Sequence, residues 1–572
     1  MLTGCARPRN AGVERLAVMP LENLSADADL NCLNHAAAAV VVYDLAGAKN
    51  IFAREVQSLS DAQSMRASRV LEGYFFERNG RIGIRATVED LEKTKTLENV
   101  EIDGAASAGL LPLVNELARK LSPEVRVFGT RDEKAFRFYG EALAARDSQE
   151  ATKNLEVATG ADPGFAAAYL DEVRLLTETG DRERARQVAQ TAERVARLDT
   201  IDRANLEYVA ATASGDLAER VRALEKLSAA TPADANHVKE LGEMRFARRE
   251  FSQAAMEYRA AAHLDPDEAQ TWNELGYALA RAKDLSGARE ALAQYQRLAP
   301  GDPNALDSQG EVSYFLGDFK SAEEYFERAA ARNPAEFGKA AEARVMMGDL
   351  QGADQLFARQ FGARPRGSHQ GADYQMAQWE FLTGRRQAAM DRMGKLAPVS
   401  EGDLRSLAFS QLAIWKLETG DSKSAAELAN EAAMSAQSPQ VRGLSAVCRY
   451  VASGTSASSG SKVADAYALL LAKKYREALP LLQAIYAETN PSADGQARTL
   501  LAWAYVETGA MDQAATLIDP YPLPLSSGEP LFASLIFPRY LFLRSAVLDH
   551  QGKKDEARKT QELYAKYAGT TN

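Results

Sequence analysis

Lys239, Asn273 and Asp307 stand 34 residues apart, and so do Glu243, Tyr277 and Glu311. A third row, Phe246, Ala280 and Tyr314, keeps the same step. Ammonium, amide, carboxylate and phenol groups repeated along a line do not make a reaction centre. They make a ladder of donors and acceptors with apolar rungs, suited to an extended peptide or a partner helix. The residue types that carry catalysis are scattered instead. His35, His237, His263, His369 and His550 never fall within one helical turn of each other, and no HExxH occurs. GxSxG, GxxxxGK[ST] and GxGxxG are absent as well. Adjacent carboxylates such as Glu323-Glu324 suit an exposed helix face. No cysteine pair has metal spacing. The expectation is a non-enzymatic protein with no catalytic residues, no metal and no cofactor.

The elements that carry those rows follow from proline. Pro232, Pro266, Pro300 and Pro334 are each 34 residues apart, and Pro163 lies 69 before Pro232. Proline lacks an N–H and clashes with the preceding turn, so it closes a helix. Between the prolines the same residue types return. Gly242, Gly276 and Gly310 allow close approach of a first helix. Ala254, Ala288 and Ala322 suit a crossing of two helices, and Tyr258, Leu292 and Phe326 are expected to fill the gap to the next unit. Trp272, Leu275 and Leu279 complete the apolar stripe of one first helix. This pattern resembles the tetratricopeptide repeat, a helix–turn–helix unit of 34 residues. The resemblance implies a mostly α fold: an α-solenoid, or superhelix of helical hairpins, whose first helices line a concave groove for a peptide or protein partner.

A second signature extends the array. Glycine followed five residues later by alanine recurs at Gly180/Ala185, Gly317/Ala322, Gly348/Ala353, Gly384/Ala389, Gly420/Ala425, Gly509/Ala514 and Gly552/Ala557. Lys473/Ala478 is a variant without the glycine. Asp181, Asp318, Asp349 and Asp421 follow four of these glycines. Glycine can end the first helix in a left-handed conformation, and aspartate can then cap the second. Roughly ten to eleven units are expected by this repeat logic, regular over 130–365 and more degenerate over 370–570. The stretches "ARPRGSHQGADY", "GTSASSGS" and "DPYPLPLSSGEP" interrupt the period.

Residues 12–125 do not keep the helical period. "VERLAVMPL" and "NIFAREV" suggest strands, and "LNCLNHAAAAVVVYDLAG" suggests a helix. "SRVLEGYFFERNGRIGIRATVEDL" suggests a hairpin turned at Asn79-Gly80, and "LLPLVNELARKLS" an amphipathic helix. The order implies a small α/β domain. Ala17, Pro20, Leu21, Asn23 and Ser25, with Leu71, Glu72 and Gly73 in the hairpin, make the segment similar to the TolB amino-terminal-like domain. That resemblance implies a bacterial protein in which such a domain precedes the repeats.

Composition narrows the partners. The chain has 572 residues, a net charge of −11 and no long Lys/Arg run, so nucleic acid is not an expected partner. The most apolar window, "AAAAVVVYDLAG", is too short to span a bilayer, and no membrane-spanning helix is expected. Cys32 and Cys448 are far apart and suit small buried apolar sites. The third cysteine differs. Leu2-Thr3-Gly4-Cys5 resembles the lipobox of bacterial lipoproteins, and residues 1–11 then form a tether. The resemblance implies acylation of Cys5, a start codon assigned too late, and, with Ala6 after the cysteine, an outer-membrane anchor facing the periplasm. Contact with a membrane is expected only through that lipid. Two function classes follow. One is an envelope scaffold; the other is the docking part of a cytoplasmic signalling regulator whose kinase, cyclase or transcription-factor output is absent.

Overall fold

The computed structural model describes residues 13–362, 369–453, 461–518 and 529–568, among which there are twenty-eight α-helices and six strands. Cys5 and most of the three interrupting stretches lie outside the described residues. Packing divides the chain into two compact units, 1–275 and 276–572.

The first unit opens with β1 (Glu14–Val18), β2 (Glu22–Asn23), α1 (Leu33–Leu45), β3 (Ile51–Glu55), α2 (Leu59–Ser64), β4 (Arg69–Arg78), β5 (Arg81–Asp90), β6 (Lys95–Ala105) and α3 (Leu111–Leu121). The sheet order is β3-β1-β4-β5-β6, with β2 beside β4. β1 runs parallel to β3 and β4, whereas β4, β5 and β6 are antiparallel. Asn79 and Gly80 turn β4 into β5 with φ of 54° and 71°, the double positive φ that a two-residue hairpin requires. Asn23 organises the loop after β1: its amide donates to Asp27 O at 2.8 Å, and Ser25 Oγ donates to Asn23 Oδ1 at 2.6 Å. β6 was not among the expected strands. It is an edge strand in which only Val100 and Ile102 are buried, and charge on its other residues protects that edge.

The middle of α1, from Ala36 to Val41, shows no polar side because the sheet and the next helix cover it. Ala36, Ala37, Ala38, Val40, Val41 and Leu45 are all buried. One side meets Leu16, Val18, Leu71 and Phe75 of the sheet; the other meets Phe136 and Tyr139 of the next helix, Glu133–Ala144. A helix apolar all round belongs in an interior. The α/β domain and the first repeat therefore share one core.

From Asp132 onward the described residues are mostly α-helices, paired through turns. Gly180, Gly317, Gly348 and Gly420 have φ between 74° and 87°, and the aspartates after them cap the following helices. Asp349 Oδ1, for example, accepts from Gly352 N at 2.9 Å, and Asp421 Oδ1 from Ser424 N at 3.1 Å. Lys473, which takes the glycine's place in its unit, adopts the same left-handed conformation with φ 59°. The large residue of each second helix sits over the glycine of its own first helix rather than reaching only to the next unit. A Cβ added at Gly310 would lie 2.5 Å from Phe326 Cε1. Phe326 is itself buried and cannot swing away. Gly310→Ala is expected to destabilise the second unit by about 1–3 kcal/mol through overpacking, read as a lowered urea midpoint.

Glu172, in the helix Ala166–Glu178, is buried, and burial pushes its pKa up to about 7. The folded chain therefore holds a proton that the unfolded chain releases near pH 4.5. The associated stability is complete below pH 4.5 and is lost as pH rises through 7. Glu172→Gln is expected to leave stability unchanged at pH 4 and to raise it by on the order of 1–3 kcal/mol at pH 8, measured by thermal unfolding at both values.

Candidate functional site

In the first unit the α/β domain rests on the first helices of the repeats. Tyr43 Oη donates to Asp202 Oδ2 at 2.6 Å. Arg126 donates from Nε to Asp199 at 2.7 Å and from Nη2 to Asp202 at 2.5 Å, with its guanidinium 3.9 Å from the centre of the Tyr43 ring. Burial, outweighing Arg126, pushes the Tyr43 phenol far above its ordinary pKa, so it stays a donor. Beside this junction lies a cleft of about 410 Å³. Val42 and Tyr43 of α1 and Ile51 and Ala53 of β3 form one side. Tyr139, Leu170, Arg174, Asn205 and His237, from four successive first helices, form the other. Polar groups along it are held in fixed directions. Arg174 donates to Asp171 at 2.9 Å and to Asn205 Oδ1 at 2.7 Å, and Tyr139 Oη donates to Asp171 at 2.8 Å. Thr231 Oγ1 gives its proton to Leu227 O at 2.8 Å, which leaves it to accept from His237 Nδ1 at 2.8 Å. Size, apolar floor and oriented polar groups are those of a recognition cleft.

The expected groove residues divide into those that present a polar group and those that do not. In the first unit Lys239 is half-buried, 3.5 Å from Glu268, and Glu243 is exposed. Phe246 packs edge-on against Phe251 at 5.2 Å. In the second unit Tyr277 Oη donates to Glu311 Oε2 at 2.5 Å, across one 34-residue period. Lys339 Nζ donates to Asp307 at 2.6 Å and to Glu311 at 3.1 Å. Burial, outweighing Lys339, pushes the Asp307 carboxyl up to about 6. Lys339 was not expected because it follows Asp307 by 32 residues and Glu311 by 28, off the period. Ala280, 1% exposed, presents nothing to a partner, and two polar residues of the rows are buried as well. Asn273 is 6% exposed and Tyr314 only 2%. Tyr314 packs against Phe319 at 5.1 Å and belongs to the main core of the second unit. Their types suit a groove, but Tyr314 is spent on core packing and Asn273 is buried, its amide oxygen without a hydrogen-bond partner among the described residues.

Tyr314 points to a larger correction. In the second unit four first helices, Glu336–Met346, His369–Leu382, Gly402–Glu418 and Lys462–Leu471, are met by the unit's own last segment. Gln411 donates to Leu531 O at 3.1 Å and Gln378 to Pro530 O at 3.4 Å. Phe532 stacks on Tyr467 at 4.2 Å, and Tyr567 Oη donates to Val345 O at 2.9 Å. Lys566 donates to Gly348 O, and Ser534 to Glu418. Gln378, Gln411, Tyr467 and Val345 all lie on first helices, so this face of the second unit is not an open groove. The same segment revises the hydropathy reading. Pro530–His550 is long and apolar enough to cross a bilayer, with mean hydropathy 1.5, but 78% of the window is buried, and it is broken into a 3-10 turn and the helix Arg539–His550.

Cys32 and Cys448 are free thiols, Cys448 buried with its pKa pushed up to about 12 by that burial. Among the described residues no three His, Cys, Asp or Glu side chains are grouped to hold a metal.

Three family models, each described as tetratricopeptide repeat, match residues 239–303, 304–336 and 469–535. The chain carries tetratricopeptide repeats. TPR repeat-containing protein PA4667 of Pseudomonas aeruginosa is 28% identical over 188 residues, 32% of this chain and 31% of that protein. The chain thus spans about a third of the length of this curated relative. Among solved structures, YrrB, titled a TPR protein with an unusual peptide-binding site, is 20% identical over 34% of this chain and 99% of its own, with a TM-score of 0.30. A tetratricopeptide repeat protein from Parabacteroides merdae is 10% identical over 55% of this chain and 99% of its own, with a TM-score of 0.28. Repeats of this type typically act as surfaces for protein or peptide partners.

Proposed function

We propose that the protein is a non-enzymatic scaffold that holds a segment of another protein in the cleft between its α/β domain and the first helices of its first repeats. We further propose that a lipid on Cys5 tethers it to the outer membrane, facing the periplasm. The observation that carries the first part is the 410 Å³ cleft with its fixed ladder of Tyr139, Arg174, Asn205 and His237. The second unit supports the same choice, since its own residues 529–567 occupy the corresponding face. The similarity of the α/β segment to the TolB amino-terminal-like domain and the Leu2-Thr3-Gly4-Cys5 sequence support a bacterial envelope setting.

The cleft is tested by filling it. Asn205→Trp, at a half-buried position on its wall, is expected to abolish capture of partner polypeptides by a photo-crosslinker placed at Ile201, which lines the cleft outside the ladder. The same substitution at a convex position should leave capture intact. Equal capture with the cleft filled would remove it from consideration. The tether is tested by metabolic labelling with a radioactive fatty acid: globomycin-sensitive incorporation is expected for the parent and none for Cys5→Ser.

A further inference from the structure

We propose that the partner segment in the cleft runs as an extended strand whose backbone pairs with the free edge of β3. This rests on the scaffold reading and gives the segment a conformation and a side-chain pattern. β3 ends the sheet, and among the described residues it pairs with β1 alone. Hydrogen bonds from Glu14 N to Asn50 O at 2.8 Å and from Val56 N to Val18 O at 3.0 Å bracket that parallel ladder. The rungs between them therefore run through Phe52 and Arg54. Backbone direction alternates along a strand, so the N–H and C=O of Ile51, Ala53 and Glu55 turn outward. None of those backbone groups has a hydrogen-bond partner among the described residues. The same three residues line the 410 Å³ cleft.

This edge differs from the other end of the sheet. On β6 the exposed charges of Lys95, Glu98, Glu101 and Asp103 deter a further strand. Ile51, Phe52 and Ala53 carry no charge and leave β3 open to pairing. A bare edge invites association with any other sheet. Here Leu170, Asn205 and His237 of the first helices stand across the cleft from it, which leaves room for one strand and not for a whole sheet. An added strand meets different surroundings on its two faces. One face looks onto Ala39, Val42 and Ala46 of α1. The other looks onto Phe52 and a polar cavity of about 170 Å³, which β3 also borders. The segment that fits carries apolar residues at every second position with polar ones between. Its main chain supplies the affinity and its alternate side chains the selectivity. At about 3.3 Å per residue, β3 is long enough to pair with roughly five residues of it.

Hydrogen exchange on the full chain, read residue by residue, tests this without any substitution. In the free protein the amides of Ile51, Ala53 and Glu55 are expected to exchange on the order of a hundredfold faster than those of Phe52 and Arg54. Acetyl-(Thr-Val)3-amide at millimolar concentration is expected to slow the first three at least threefold and to leave the other two unchanged. Two controls carry N-methyl groups, one at the valines and one at the threonines. One of them loses the donors of the pairing edge and should bind at least tenfold more weakly than the other. Equal binding of the two, or no slowing at the three amides, overturns the proposal. Slowing that grows with protein concentration in the absence of peptide would make the occupant a second copy of this chain and overturn the partner assignment. Ala53→Pro deletes one outward N–H and spares the bonds to β1, since an edge strand accepts proline where its nitrogen faces outward. Capture by the crosslinker at Ile201 is expected to fall at least fivefold in that variant, and unchanged capture also overturns the proposal. Exchange in the parent decides the matter if the variant fails to fold. Capture that Asn205→Trp abolishes, with the three amides unprotected by peptide, would remove this inference alone and leave the scaffold reading.

Discussion

Phe532→Ala is expected to lower the stability of the second unit by about 3–5 kcal/mol. Phe532 is 2% exposed and stacks on Tyr467 with ring planes 15° apart. Its neighbours Leu531, Leu535, Ile536 and Phe537 are equally buried. Helices from several repeats surround the site, and each is pinned by its own hairpin, so a cavity there cannot close by a small shift. The cost should therefore fall at the upper end for a large-to-small change. Tryptophan emission isolates the right unit, because Trp379, Trp415 and Trp503 lie in it and only Trp272 lies in the other. An unfolding free energy from urea titration within about 1 kcal/mol of the parent would mean that residues 529–567 merely rest on the first helices. Phe532→Leu, which keeps most of the volume, should lose less than half as much.

That segment also marks where sequence reasoning succeeds and where it stops. The turn between the two helices of a repeat was legible because it is a local demand on the backbone. Gly317-Asp318 supplies a left-handed residue and then a cap, and no distant neighbour alters that requirement. The 34-residue step was legible for the same reason: Gly310 and Phe326 meet within one hairpin. What covers a first helix is not local. Tyr314 and Asn273 have the types of a binding row, yet both are buried, Tyr314 in a core that residues far along the chain complete. Lys339 completes the Asp307–Glu311 cluster from two residues off the period, so no row could contain it. One global signal was present and readable. The unbroken apolar run of α1 could not belong to a helix with a solvent face, and it marked the place where the α/β domain meets the repeats.

Asp494→Ala is expected to cost the second unit a further large amount, about 3–5 kcal/mol, by stranding buried charge. Arg281 Nη2 lies 3.0 Å from Asp494 Oδ2, with side chains 8% and 2% exposed. Arg498 is as buried, its Nε 3.9 Å from Asp494 Oδ1 and its Nη1 donating to Leu517 O at 3.2 Å. Burial already holds the Arg498 guanidinium below its ordinary pKa; Asp494 opposes that shift and Arg281 adds to it. Without the carboxylate the two cations face each other in a medium that screens them poorly. Added salt should therefore rescue little, since a buried pair lies beyond the reach of mobile ions. Apolar replacement of both partners, Arg281→Met with Asp494→Leu, removes one cation along with the anion and should recover at least half of the loss. A double variant no better than Asp494→Ala would locate the damage in Arg498 alone, and an Asp494→Ala chain as stable as its parent would show that water reaches this junction.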